Sequence, residues 1–145
     1  MCDYSLHDVA SRPARLGEAL VTTVFGTGWT RGFASNDQRD VAVCLRPGTE
    51  LAFANDVDWD RPFRFFRRAT GAGRLARFRQ VNVNDPFVHH DAIEFPDGRV
   101  VLLTRLTPGQ RATVVQLPVE RPAEPGAPRT TARPAELISV EACRA

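Results

Sequence analysis

The sequence contains no lysine; all 19 of its basic residues are arginine. Schiff-base chemistry, lysine general bases and the lysine of a phosphate-binding loop are therefore excluded. Cysteine is scarce. Cys2, Cys44 and Cys143 form an odd set with no short spacing, so neither a Cys-x-x-Cys zinc pair nor a disulfide framework is read from them. No run approaches the ~20 apolar residues that span a bilayer, and the N-terminus lacks a basic stretch followed by an apolar one. These absences lead to the expectation of a cytoplasmic protein in a reducing compartment, with Cys44 an inert thiol in an apolar strand. The glycine pair Gly71 and Gly73 lacks the third glycine and the strand–helix setting of a dinucleotide fingerprint. Thr27, Ser35 and Ser139 sit in no Gly-x-Ser-x-Gly elbow.

What is present is ordinary globular material. The 145 residues, 43% hydrophobic and 25% charged, fit one domain that buries a core without disulfides or a structural metal. Residues 118–145 hold five of the 11 prolines and read as a proline-rich, extended tail. Within it, 136–140 is apolar enough to dock as an added strand. The folded domain is therefore placed at 1–117.

Periodicity and turn residues argue for strands. Residues 20–25 are β-branched and end at Gly26-Thr27-Gly28, and a second, shorter strand follows over 29–34. Residues 41–45 and 50–53 flank Arg46-Pro47-Gly48-Thr49 and predict a hairpin, because proline presets one turn dihedral and glycine supplies positive φ at the next. Residues 92–95, 100–104 and 112–117, separated by Pro96-Asp97-Gly98 and Thr107-Pro108-Gly109-Gln110, predict a three-strand meander. The stretches 41–53 and 100–115 share an apolar run, Leu-x-Pro-Gly, and a second apolar run. This is either an internal repeat or the pattern that any two hairpins share. Asp60 is a cap for a short helix through Arg68, with Pro62 in its first turn. The fold expected is mostly β: a small antiparallel barrel or sandwich of about seven strands with one short helix.

Charge is unevenly placed. Residues 61–81 hold seven arginines and no acid, whereas the rest of the chain has 12 arginines against 17 acidic residues. Phe63, Phe65, Phe66 and Phe78 interleave with these arginines. Arginines with aromatic platforms serve anions, single-stranded nucleic acid included. The same pattern serves an amphipathic element with its phenylalanines in the core and its arginines in water. A pI near 8.7 is low for a dedicated nucleic-acid domain, so an acidic protein or another anion is the expected partner. Arg64, Arg67, Arg68, Arg74 and Arg77 are the candidate contacts.

Two further features carry chemistry. Removal of Met1 exposes Cys2 as an N-terminal nucleophile with its own amine as base, the arrangement of N-terminal nucleophile hydrolases; the following Asp3-Tyr4-Ser5 does not match their pattern. Val88-His89-His90-Asp91 holds two of the three histidines. On a strand His89 and Asp91 share a face and His90 does not. His-x-Asp opens the two-histidine, one-carboxylate metal triad, but no histidine follows it.

The opening Met-Cys-Asp-Tyr-Ser-Leu, with Ala10-Ser11-Arg12-Pro13-Ala14 after it, resembles a set of small bacterial proteins through about residue 117. The resemblance implies a bacterial, stand-alone protein and carries over no activity. Two functions follow from the residues. The first is a non-catalytic accessory or binding protein that engages an acidic partner or other anion through the arginine segment. The second is a small enzyme or divalent-metal protein using Cys2 and His89 in catalysis, with His89, His90 and Asp91 as ligands. Homo-oligomer formation through an exposed strand edge is compatible with both.

Overall fold

The computed structural model describes residues 8–26, 30–60 and 73–119. Among them, nine strands form a single sheet: β1 (Ser11–Pro13), β2 (Ala19–Phe25), β3 (Thr30–Ser35), β4 (Ala42–Cys44), β5 (Glu50–Phe53), β6 (Leu75–Gln80), β7 (Asp91–Glu94), β8 (Val100–Leu102) and β9 (Arg111–Gln116). Their order in the sheet is β1-β4-β3-β2-β9-β5-β6-β7-β8. The mostly β expectation holds, with nine strands rather than about seven. The sheet is open, with β1 and β8 at its edges, so the closed-barrel form of that expectation is corrected. The only helical element among the described residues is a 3-10 turn, Leu103–Arg105. The helix expected from Asp60 to Arg68 falls mostly on 61–72, outside the described residues.

β2, β3, β4 and β7 bury consecutive residues, whereas β6 and β9 bury only one side. In β6, Ala76 and Phe78 are buried while Leu75, Arg77 and Arg79 are exposed. In β9, Ala112 and Val114 point inward and Arg111, Thr113 and Val115 outward. Strands from both ends of the sheet supply one core, in which Phe33 and Val43 join Phe78, Ile93, Phe95 and Val101. A curled sheet satisfies this, because a flat one would leave the inner face of its outer strands in water.

The two expected hairpins through Pro-Gly turns do not form. β4 pairs with β1 and β3, and β5 pairs with β6 and β9. β7 and β8 do pair, but β9 leaves them to lie between β2 and β5. The meander is therefore two strands long. Both Pro-Gly segments carry the chain across the sheet instead of folding it back.

These two crossings are related by an internal two-fold. Counted inward, the order is β4-β3-β2-β9 from one side and β8-β7-β6-β5 from the other. Strands β2 to β5 thus repeat as β6 to β9, with the fourth strand of each half exchanged into the other. β5 and β9 pair across the axis at Ala52↔Thr113, flanked by Leu51↔Val114 and Phe53↔Ala112. The backbone bonds repeat as well. Gly48 N–H donates to Phe78 O at 2.8 Å and Gly109 N–H to Thr22 O at 2.7 Å. Phe53 N–H donates to Arg74 O at 2.6 Å and Val114 N–H to Glu18 O at 3.0 Å. Gly48 and Gly109 have φ of 95° and 91°, and Asn82 at φ 54° stands where Gly26 has 59°. The 3-10 turn is a three-residue insertion in the second half. Of the two readings of the 41–53 and 100–115 likeness, this geometry selects the internal repeat.

Cys44 is corrected too. It is half-buried on β4 and disulfide-bonded, not a free core thiol. The other cysteines, Cys2 and Cys143, lie outside the described residues.

Candidate functional site: the charged outer face of the second half

The outer face differs between the halves. In the first half Val21, Phe25, Ala34 and Ala42 form a small apolar cluster with Val9 packed against it. The two-fold counterparts of Val21, Ala34 and Ala42 are Arg77, Glu94 and Val100. Strand register sets Glu50, Arg77 and Glu94 in one row across β5, β6 and β7. Arg77 Nη2 donates to Glu50 Oε1 at 2.7 Å, and Arg79 Nη1 to Glu94 Oε2 at 2.9 Å. The Glu50 hydrogen bond, supported by its charge and that of Glu94, holds the Arg77 guanidinium above its ordinary pKa. Arg74 has only a loose pairing, its Nε 3.9 Å from Asp56 Oδ1, with both side chains more than 60% exposed. A guanidinium carries five donors, so these pairings leave N–H groups of Arg74, Arg77 and Arg79 for a ligand.

A groove of about 400 Å³ opens beside this row, lined among others by Glu50, Leu75, Arg77, Glu94 and Pro96. Its two-fold counterpart, about 440 Å³, is lined by Ala19, Asn36, Ala52, Arg111 and Thr113. Equivalent positions thus shape both grooves, with Glu50 in one and Arg111 in the other. Beyond the first groove Trp59 stacks on Phe95 at 6.0 Å, and Arg99 lies 5.9 Å over the Trp59 ring. Arg99 also binds Asp97 at 2.6 Å. That side-chain bond, with the Arg99 N–H, holds the Asp97 carboxyl below the ordinary value.

The arginines read from the sequence divide accordingly. Arg77 lies on this face, and Arg74 is exposed just before β6, beside Asp56; Arg64, Arg67 and Arg68, like Cys2, lie outside the described residues. His89 is exposed and His90 half-buried just before β7, and Asp91 begins the strand, buried. His90 Nδ1 is 3.1 Å from Val81 O, and Asp91 Oδ1 accepts from Gln80 Nε2 at 3.2 Å. Among the described residues no three His, Cys, Asp or Glu side chains are grouped to hold a metal ion. Sequence reasoning missed Glu50, Glu94 and the Trp59–Arg99 pair. The alternation of β6 was a signal that Arg77 and Arg79 share a face, but nothing local names the strands beside them. No helix among the described residues is long and apolar enough to cross a membrane. Comparison with protein-family models, curated proteins and solved structures finds no match.

Proposed function

We propose that this protein is a non-catalytic binding module that takes an acidic or otherwise anionic partner on the arginine-bearing outer face of its second half. The observation that carries this reading is the contrast between equivalent faces. The first half covers its outer face with its own residues around Val9. The second keeps a charged, open face with Arg77 and Arg79 exposed, and Arg74 is exposed just before β6. Arg64, Arg67 and Arg68 belong to the same arginine-rich stretch of sequence and extend the proposed contact set. The disulfide at Cys44 favours an oxidising compartment over the cytoplasmic one read from the cysteine count.

The test is fluorescence anisotropy of the full chain with a labelled polyglutamate peptide, against polylysine, at low and high salt. The expected result is salt-sensitive binding of polyglutamate alone, weakened several-fold in the Arg74→Ser/Arg77→Ser double variant. Equal affinity of that variant, with its circular dichroism unchanged, overturns the reading.

A further inference from the structure

We infer that the outer edge of β8, unpaired among the described residues, is a strand acceptor for an extended acidic peptide of a partner, added parallel to β8 with a carboxylate facing Arg74. This deepens, and rests on, the acidic-partner reading above.

The two-fold supplies the argument. The counterpart of β8 is β4, and the outer edge of β4 is occupied: β1 pairs with it in parallel, Ser11↔Ala42 through Pro13↔Cys44. Ala42 N–H donates to Ala10 O at 2.8 Å and Ala14 N–H to Cys44 O at 3.0 Å. At β8 the corresponding groups face outward. Phe95 N–H bonds Arg99 O at 2.9 Å, so the alternation of an antiparallel ladder turns the N–H groups of Val100 and Leu102 away from β7. β8 ends the sheet among the described residues, and Val100 is 43% exposed. An unpaired strand edge of this kind is a template for strand addition.

Charge selects the occupant. In the first half the incoming strand is anchored by Arg12, held by Glu18 just before β2. The counterpart of Glu18 is Arg74, since their carbonyls accept the equivalent bonds from Val114 and Phe53. The anchor is thus inverted in sign, and Arg74 is only loosely engaged by Asp56. A strand with a central carboxylate completes the second half as Arg12 completes the first.

The experiment is a backbone-amide NMR titration of the full chain with a blocked hexapeptide of alternating valine and serine carrying one central glutamate. The same peptide with glutamine, and with lysine, are the comparisons. The inference expects shifts and exchange protection at Val100 and Leu102 with the glutamate peptide, and roughly tenfold weaker binding of the glutamine peptide. It also expects Arg74→Glu, folded by circular dichroism, to prefer the lysine peptide. Arg74-dependent binding with shifts confined to the groove at Glu50 and Pro96 overturns strand addition and leaves the acidic-partner reading standing. Equal binding of the glutamate and glutamine peptides overturns the charge assignment. Protection of both amides in the free protein shows that the chain itself fills the edge and overturns the inference. Absence of binding by any peptide overturns both.

Discussion

Glu18 is pulled in two directions. Its burial works against the charged form, but the Arg12 hydrogen bond, the Arg15 backbone N–H and the charges of both arginines outweigh it. Its carboxyl therefore sits below the ordinary value of 4.5. A carboxyl depressed in the folded state stabilises the fold above its unfolded pKa, and that contribution disappears as pH falls through the folded one. Urea unfolding across the acid range should show stability falling below about pH 4.5, and Glu18→Gln should flatten that limb. With the Glu18 side chain only 10% exposed, Arg12→Ala should cost about 1–2 kcal/mol. At Cys44 the intact mass under non-reducing denaturing conditions should be two hydrogens below that of the reduced chain. Cys44→Ser should lower stability by about 2–4 kcal/mol. None of this was legible in the sequence. Arg12 and Glu18 are close in the chain, but their pairing depends on β1 lying beside β4. Cysteine spacing says nothing about which thiols the fold brings together.

Among the elements, β2 was the most legible: the β-branched run 20–25 is the strand Ala19–Phe25. Residues 75–83 read equally as strand or helix; the structure makes Leu75–Gln80 a strand, with Phe78 inward and Arg77 and Arg79 outward. Phe78→Ala should cost about 3–5 kcal/mol, from lost transfer and the cavity left behind. Arg77→Ala, which removes an exposed pair with Glu50, should leave the thermal midpoint nearly unchanged. The Pro-Gly turns were half legible. The residue pattern correctly marked a change of direction, and Gly48 and Gly109 do take positive φ. What it could not specify is whether the next strand returns beside the last or crosses to the other half. Alanine at either position forces a side chain into left-handed backbone, at about 1–2 kcal/mol. Gly48→Ala should be the worse, because its new Cβ would lie 3.3 Å from the Pro118 Cβ, while nothing lies within 4 Å at Gly109. Thermal melts of the two variants measure the difference.

For the whole molecule, the exchanged strands make the halves interdependent. β5 lies between β9 and β6, and β9 between β2 and β5, so each half's fourth strand has its hydrogen bonds in the other. A chain cut at an engineered protease site between Thr70 and Gly71 should therefore elute as one particle in native size exclusion. Its fragments should separate only in denaturant. Separation in native buffer would contradict the exchanged pairing. The duplication also explains how one face can be open while its equivalent is closed. Two copies of one unit need not keep the same surface once the core that joins them is satisfied.

The sequence by itself determined what local physics decides: which stretches are β-branched enough to be strands, and where proline and glycine turn the chain. Strand partners, the open sheet, the exchange of β5 and β9, the pairing of Arg77 with Glu50 and the disulfide at Cys44 were decided only by the tertiary structure. The physical reason is separation along the chain. A strand's propensity resides in its own residues, but its partner is chosen by burial of a shared core, in which Phe33 and Val43 must meet Phe78 and Val101. That choice brings Glu50 and Glu94 to either side of Arg77.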